Sequence, residues 1–212
     1  MNKTLINRGF GIGLMNAMFR RATNKQIITA ILPCRSGDGA TTVVKQLIKS
    51  VRKTNYRIAV LDLNVIDPSK SLVEGVVRED LAPLFDRENT DEVRCPDNGI
   101  FYAGVSDGEQ ELAMELGIPE INALLERFKN NFSLIIIDGP ALLSTNLSEI
   151  ISLCVNQTYL VVRQETTAHF QVNHAIDRLK RLGVKASGII LNDRRLPIPS
   201  FVHRLFFRRG RS

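Results

Sequence analysis

The segment IITAILPCRSGDGATT, residues 27–42, carries the strongest fold signal in this chain. It begins with the apolar run Ile27–Pro33, passes through a turn that contains Gly37 and Gly39, and enters a helix-period stretch at Thr41. An apolar run without alternation predicts a strand that is covered on both faces. A glycine-rich turn between such a strand and a helix presents backbone N–H groups and a helix N-terminus, which together bind phosphate. The purely structural alternative is a tight turn in which the glycines only let the chain reverse direction.

The rest of the chain repeats this alternation of strand and helix. Five further apolar runs predict strands: Arg57–Leu63, Gly99–Ala103, Ser133–Asp138, Thr158–Val162 and Ala186–Leu191. The helix-period stretches are Thr41–Lys53, Ser69–Val77, Pro119–Asn131, Asn146–Val155 and Ala168–Leu182. This order predicts right-handed βαβ units, so we expect an α/β domain with a doubly wound, mostly parallel sheet in a three-layer sandwich. Ligands of such sheets bind at the carboxyl ends of the strands.

Polar residues follow several predicted strands at that edge of the sheet. Asp62 and Asp138 each end an apolar run, and Asn192 follows the last one. An aspartate at the end of a strand beside a phosphate-binding loop typically holds Mg²⁺ directly or through water. A strand-end aspartate is also common as a turn or N-cap residue. Two of them together with the glycine-rich turn favour the metal interpretation, with the hydroxyl of Thr41 as a further ligand.

Three motifs resemble those of the deviant-Walker P-loop ATPases of the ParA/MinD type, and within them most closely the bacterial tyrosine autokinases of capsule and exopolysaccharide export. Residues 35–42, RSGDGATT, align without gaps with the deviant loop KGGxGKTT. Residues 62–69, DLNVIDPS, resemble the second motif, DxDxRxPS, and residues 135–141, IIIDGPA, resemble the third, IIIDxPP. Residues 16–24 resemble the EAYRTLRTN helix that precedes the kinase sheet. The resemblance covers about residues 16–192.

The resemblance implies an ATP and Mg²⁺ site with assigned residues. Its cofactor-binding residues are Arg35, Ser36, Gly37, Asp38, Gly39, Ala40, Thr41, Thr42 and Asn192, the last contacting the nucleotide base. The implied metal ligands are Thr41, Asp62 and Asp138. If the site is active, Asp62 is the residue expected to be catalytic.

Several positions depart from the motifs that they resemble. Ala40 stands where the resemblance implies the lysine that neutralises phosphate charge, so we expect ATP and Mg²⁺ binding to be weak or lost and hydrolysis to be absent. Asn64 replaces the second aspartate of the second motif, and Arg35 replaces the signature lysine of the loop. These departures argue against an enzyme; an active form would be an ATPase or a protein-tyrosine kinase.

Other departures concern assembly and the phosphate acceptor. The three positions that the resemblance implies for a ring contact are Asn16, Phe19 and Ala22, so we expect no homo-oligomeric ring and leave a dimer open. The kinases end in a tyrosine cluster, whereas residues 193–212 contain no tyrosine. All tyrosines of the chain are predicted to lie in the core: Tyr56, Tyr102 and Tyr159.

Composition and charge limit the location and the partners. The 212 residues are 44% hydrophobic and 24% charged, and no apolar run approaches the roughly 20 residues of a membrane-spanning helix. The three cysteines are widely separated and we recognise no signal peptide, which together favour the cytoplasm.

The net charge of +6 is concentrated at the two ends. Residues 1–27 and 193–212 each carry +5, which leaves −4 for residues 28–192. We therefore divide the chain into a basic N-terminal arm and helix, 1–26, a P-loop NTPase-like domain, 27–192, and a basic aromatic tail, 193–212. Since the positive charge lies outside the domain, nucleic acid is a disfavoured partner. Interleaved Phe and Arg in the tail favour an anionic membrane surface or an acidic protein.

Three functions remain open at this point. The first is a degenerate P-loop protein that regulates or scaffolds exopolysaccharide or capsule biosynthesis and export, peripheral at the inner membrane through a polysaccharide chain-length regulator or co-polymerase. The second is an active ATPase or tyrosine kinase in which Arg35 replaces the loop lysine. The third is a protein that positions itself on membranes or nucleic acid through its basic ends. Because of Ala40, we favour the first.

Overall fold

The computed structural model of the chain describes residues 8–20, 26–52, 54–64, 76–86, 91–105 and 115–193. The strands in these ranges are β1 Ile27–Pro33, β2 Ile58–Asp62, β3 Glu79–Asp80, β4 Ile100–Gly104, β5 Leu134–Asp138, β6 Gln157–Arg163 and β7 Gly188–Asn192. The helices are α1 Arg8–Arg20, α2 Ala40–Val51, α3 Ile118–Glu126, α4 Leu147–Cys154 and α5 His169–Arg181, with a 3₁₀ turn at Ala82–Leu84. The strands form one parallel sheet in the order β3-β4-β2-β5-β1-β6-β7.

Every residue of β1, β2, β4 and β5 is buried, because helices cover both faces of the sheet. One apolar cluster joins α1 and α2 to the sheet through residues such as Met18 and Ile31. The other joins α3, α4 and α5 to the opposite face through residues such as Leu124 and Leu160. Strands enclosed in this way have no need for polar alternation, which explains the solid apolar runs in the sequence. The predicted doubly wound α/β sandwich is confirmed.

Helix α1 packs on the same face of the sheet as α2. Its side chains Met15 and Met18 are buried in the cluster that contains the buried face of α2. The buried side chain of Gln157, on β6, donates a hydrogen bond of 2.9 Å to the carbonyl oxygen of Met18, which satisfies a carbonyl in the last turn of α1. The N-terminal helix is therefore attached to the sheet by apolar burial and by one buried polar contact.

The sheet extends from β1 in two directions, through β5, β2, β4 and β3 on one side and through β6 and β7 on the other. The carboxyl end of β1 therefore lies in the middle of the sheet edge where ligands of doubly wound folds bind. The predicted helix Ser69–Val77 lies outside the described residues except for Val76 and Val77, which have no regular structure. Within the described ranges, no helix is both long and apolar enough to cross a bilayer.

The tyrosines are not all in the core. Tyr102 and Tyr159 are buried on β4 and β6, as predicted. Tyr56 is 39% exposed, so its predicted place in the core is wrong. It precedes β2 in a connecting segment, where its ring stacks on Phe19 of α1 with ring centroids 4.6 Å apart, and one stacked face leaves the rest of the ring in solvent.

Candidate nucleotide site

The loop between β1 and α2 requires glycine at two positions. Gly37 and Gly39 have φ angles of 88° and 89°, in the left-handed region that side chains other than glycine rarely adopt. Gly39 is the N-cap of α2, and a Cβ atom at this position would lie 2.1 Å from Nδ2 of Asn192. The glycines therefore permit both the turn and the close approach of β7 to the loop.

Asp38 holds the loop in place through three hydrogen bonds. Its Oδ2 accepts from the backbone N–H of Arg35 at 2.9 Å, and its Oδ1 accepts from the hydroxyl of Thr167 at 2.6 Å. Its carbonyl oxygen accepts from Nδ2 of Asn192 at 2.9 Å. The buried carboxylate is thus engaged by protein donors on both oxygens and supports the loop instead of pointing to a ligand.

A cavity of about 320 Å³ opens beside this loop at the carboxyl edge of the sheet. Its lining consists of loop residues, the first turns of α2 and the end of β2: Pro33, Ser36, Gly37, Gly39, Ala40, Thr41, Lys45, Asp62, Asn64 and Ala141. The volume lies at the lower end of the range for small-molecule sites. A cavity at the N-terminus of a helix, beside a loop with left-handed glycines, has the geometry of a phosphate site.

Six of the residues predicted from the sequence line the cavity: Ser36, Gly37, Gly39, Ala40, Thr41 and Asp62. The other predicted residues lie near it without lining it: Arg35, Asp38, Thr42, Asp138 and Asn192. Arg35 is exposed, and its Nη1 donates to Oε1 of Gln171 on α5 at 3.3 Å. Asn192, for which the resemblance implies a contact with the base, has its amide on the loop backbone.

Asp62 and Asp138 lie side by side at the ends of paired strands. They are register partners in β2 and β5, so their Cα atoms are separated by one strand spacing, about 4.8 Å, and their side chains share a face. Asp138 is completely buried, and neither of its carboxylate oxygens has a hydrogen-bond partner among the described residues. Burial raises the pKa of Asp138 well above its usual value, and the negative charge of Asp62 adds to the rise. The nearby hydroxyl of Thr41 and the positive charge of Lys45 oppose it.

Asp62 has partners that Asp138 lacks. Its Oδ1 accepts from the backbone N–H of Asn64 at 3.0 Å, and its Oδ2 accepts from the hydroxyl of Tyr102 at 3.0 Å. Burial raises the pKa of Asp62, and these two hydrogen bonds, with the positive charge of Arg78 beside Tyr102, limit the increase. The Tyr102 hydroxyl fixes one oxygen of Asp62 and leaves the carboxylate at the wall of the cavity.

The residues present fit a divalent cation. A buried carboxyl group without a hydrogen-bond partner is costly unless a positive charge compensates it, and here a second carboxyl lies on the next strand. The hydroxyl of Thr41, in the first turn of α2, lies beside Asp138. Carboxylate and hydroxyl oxygens are the donors that Mg²⁺ prefers, usually together with water and substrate phosphates.

The sequence analysis missed Lys45 and Tyr102 as site residues. Lys45 lies four positions after Thr41 on α2, and residues with this spacing share one face of a helix. That spacing was a usable signal for Lys45. Tyr102 contacts Asp62 because β4 pairs with β2, and no pattern in the local sequence predicts that pairing.

Known proteins resemble this chain in sequence and in fold. No protein-family model matches the chain. AmsA of Erwinia amylovora, whose full name is "Putative tyrosine-protein kinase AmsA", is 27% identical over 192 residues that cover 87% of this chain and 26% of AmsA. The chain therefore spans about a quarter of the length of that relative.

Solved structures with the same fold include kinases and ATPases. The kinase domain of the Escherichia coli tyrosine kinase ETK matches with a TM-score of 0.72 and 18% identity, over 91% of this chain and 78% of that one. A ParA family ATPase from Chlorobium tepidum matches with a TM-score of 0.63 and 11% identity, over 86% and 81% of the two chains. The fold is thus that of the P-loop ATPases. It is the version found in bacterial tyrosine-kinase domains and in ParA-type ATPases, as the motifs predicted.

Proposed function

We propose that this chain is a degenerate P-loop protein that binds Mg²⁺-nucleotide weakly without turning it over, and acts as a regulatory or scaffold component of exopolysaccharide or capsule biosynthesis and export. The observation that carries the proposal is Ala40. It lines the phosphate cavity at the first position of α2, where a methyl group stands in place of a cation.

The cost of this substitution is greatest for catalysis. A cation at the start of the helix would stabilise the charge that develops on the transferred phosphoryl group. Loss of one preorganised charge-stabilising group in other enzymes costs roughly 3–4 kcal/mol in the transition state, about 10²–10³ in rate. The chain is therefore expected to show no detectable turnover of nucleotide.

The rest of the cavity supports retained binding of phosphate. The left-handed glycines orient the loop, Asp38 holds it, and Thr41 with the two aspartates offers oxygen ligands to Mg²⁺. Bound Mg²⁺ would supply positive charge next to the phosphates. The residues of this chain would hold it, and the buried Asp138 would be compensated at the same time.

Arg35 gives little support to the alternative of an active enzyme within one chain. Its guanidinium group contacts Gln171 of α5 and is not part of the cavity lining. To bring its charge to the position where the resemblance implies a lysine, Arg35 would have to leave Gln171 and cross the loop. An active ATPase or tyrosine kinase is for this reason the second candidate.

The biological setting of the proposal rests on the comparisons and on the charge of the ends. The similarity to AmsA and to the ETK kinase domain supports a role beside bacterial tyrosine kinases. Residues 193–212 carry +5 beside the apolar side chains of Phe201, Leu205, Phe206 and Phe207, which suit an anionic membrane surface or a membrane-bound polysaccharide chain-length regulator. The proposed location is the cytoplasmic face of the inner membrane.

Turnover assays on the wild type and on Ala40→Lys test the proposal. We expect no phosphate release above background from the wild type, and measurable release from Ala40→Lys if only the lysine is missing. Adding Asp138→Ala to Ala40→Lys should abolish the gain, which assigns it to this cavity. Wild-type turnover that is abolished by Asp138→Ala would instead support the active enzyme.

A further inference from the structure

The cavity contains one cationic side chain that the motifs do not account for. Among the residues that line it, all of them in the described part of the chain, Lys45 alone carries positive charge. It lies in the second turn of α2, one turn beyond Thr41 and on the same helix face. Val44 and Leu47, its neighbours on α2, are buried in the core, whereas Lys45 is half-buried and reaches the cavity wall.

The charge of Lys45 acts on the acidic side of the site. It is close enough to lower the pKa of both Asp62 and Asp138. No ion pair between Lys45 and either carboxylate occurs among the described residues, where the charged pairs within 4.0 Å are elsewhere. Lys45 thus lines the cavity without being neutralised by a direct ion pair with either aspartate.

The loop itself supplies no cation to the cavity. Ala40 is apolar, and the guanidinium group of Arg35 binds Gln171 outside it. A nucleoside triphosphate bound on the loop would bring several negative charges next to Asp62 and Asp138. Since burial of unpaired charge is costly, an occupied site needs a compensating cation in addition to Mg²⁺.

We propose that Lys45 supplies this cation, so that the phosphates of a bound nucleoside triphosphate are held by an ammonium group from the second turn of α2 in place of one from the loop. The inference rests on the proposed function, because it names the residue that makes weak nucleotide binding possible despite Ala40. A lysine is suited to the task, since its compact charge on a flexible stem binds phosphate without a fixed fork geometry.

The position of Lys45 also separates binding from turnover. Its Cα lies five residues beyond Ala40, so its ammonium group approaches the phosphates from the body of the helix and not from the helix start. Charge from that direction would stabilise the bound phosphates, while the position of Ala40 still offers no cationic side chain. Lys45 is therefore expected to set affinity and to leave turnover low.

The test is a calorimetric titration of the full chain with ATP and Mg²⁺ for the wild type, Lys45→Met and Lys49→Met. Methionine keeps the length of the apolar stem and removes the charge. Lys49 is the matched control, because it lies one turn further along α2, is exposed and does not line the cavity. We expect Lys45→Met to weaken binding by about 10- to 100-fold, as for loss of a charged hydrogen bond, and Lys49→Met to change it by about twofold or less.

Two further readouts identify the charge as the cause. Affinity for ATP should depend less steeply on salt in Lys45→Met than in the wild type, because one charge contact is lost. In the wild type, ATP with Mg²⁺ should protect Lys45 but not Lys49 from trace acetylation with acetic anhydride, which needs no substitution at all.

The outcomes distinguish the two claims. Wild-type binding that Lys45→Met leaves unchanged, a weakened variant with the salt dependence of the wild type, or acetylation of Lys45 that ATP does not slow, would overturn the role of Lys45 while nucleotide binding stands. If the wild type binds no ATP at all, the proposed function fails, and this inference fails with it.

Discussion

The side-chain amide of Asn192 donates a hydrogen bond of 2.9 Å to the carbonyl oxygen of Asp38 and thereby joins the end of β7 to the loop between β1 and α2. The same amide lies over Gly39, where a Cβ atom would approach it to 2.1 Å. The last strand of the sheet, at one edge, thus supports a loop that begins at the interior strand β1. This contact makes the conformation of the loop depend on a residue that is more than 150 positions away in sequence.

A pair of glycine substitutions tests that contact. Gly37 and Gly39 have nearly equal left-handed φ angles, so alanine at either costs roughly 1–2 kcal/mol of backbone strain. No atom lies within 4 Å of a Cβ at Gly37, whereas a Cβ at Gly39 clashes with Asn192. We expect Gly39→Ala to lower the free energy of unfolding by about 1 kcal/mol more than Gly37→Ala, in denaturant titrations.

The double variant Gly39→Ala/Asn192→Ala identifies the source of the difference. Removal of the amide relieves the clash, so the double variant should lose less stability than the sum of its single variants. If Gly37→Ala and Gly39→Ala lose equal free energy of unfolding, and Asn192→Ala is additive with Gly39→Ala, the contact between Asn192 and the loop contributes nothing to stability.

The buried Asp138 predicts a pH dependence of stability. Burial, with the charge of Asp62, raises the pKa of Asp138 in the folded state, so the folded chain holds a proton that the unfolded chain releases at a lower pH. Stability therefore falls as pH rises from the usual carboxyl value through the raised one, and stays lower above it. With metal removed by a chelator, Asp138→Asn should raise the melting temperature near pH 8, and the gain should shrink towards pH 4.

The control for this prediction is Asp177→Asn. Asp177 is an exposed residue of α5 that pairs with Lys180 over one helical turn, so its loss should change stability by less than about 0.5 kcal/mol at either pH. If the Asp138→Asn variant, with metal removed by the chelator, melts below the wild type near pH 8, the carboxylate of Asp138 stabilises the metal-free fold. That result would contradict an uncompensated charge at Asp138.

The exposed tyrosine gives a separate test of the proposed lack of kinase activity. Tyr102 and Tyr159 are buried and unavailable as acceptors, but Tyr56 is accessible. Because we propose that Ala40 leaves the site without a catalytic cation, we expect mass spectrometry after incubation with ATP and Mg²⁺ to find no phosphotyrosine, even on Tyr56. Phosphate at high occupancy on Tyr56, absent from Tyr56→Phe, would show instead that the wild-type site transfers phosphate.

The basic tail predicts reversible attachment to a membrane. Each Lys or Arg near an anionic surface contributes about 1 kcal/mol, and five net charges give a few kcal/mol after the cost of ordering the tail. The full chain should sediment with anionic vesicles at low salt and be released at high salt, while a variant truncated after Asp193 should not sediment. A truncated variant that sediments like the full chain at both salt concentrations would exclude this role of the tail.

The sheet and its ligand edge were predictable from the sequence because their physical causes are local. Burial on both faces demands solid apolar runs, and Asp62 and Asp138 end two of them. The short edge strand β3 was not predicted, since Glu79 and Asp80 are exposed and no hydrophobic pattern marks them. A two-residue edge strand is defined by pairing to β4 and not by its own side chains.

The site was less predictable, because its contacts join distant segments. The motif alignment assigns Asp38 to ligand binding, but its carboxylate is held by Arg35 and by Thr167, which follows β6. The Tyr102 contact to Asp62 depends on the register of β4 against β2. Lys45 was overlooked because a motif compares positions along the chain, whereas a long side chain can enter a cavity from a neighbouring turn.

We propose a nucleotide site that holds ATP without cleaving it, and the identity of the bound nucleotide is the decisive readout. Native mass spectrometry of the full chain after prolonged incubation with ATP and Mg²⁺ reports the mass of whatever remains bound. We expect a species that carries one intact ATP per chain, and we expect its abundance not to decrease with incubation time. A bound species with the mass of ADP, or a chain that carries no nucleotide at any ATP concentration, would contradict it.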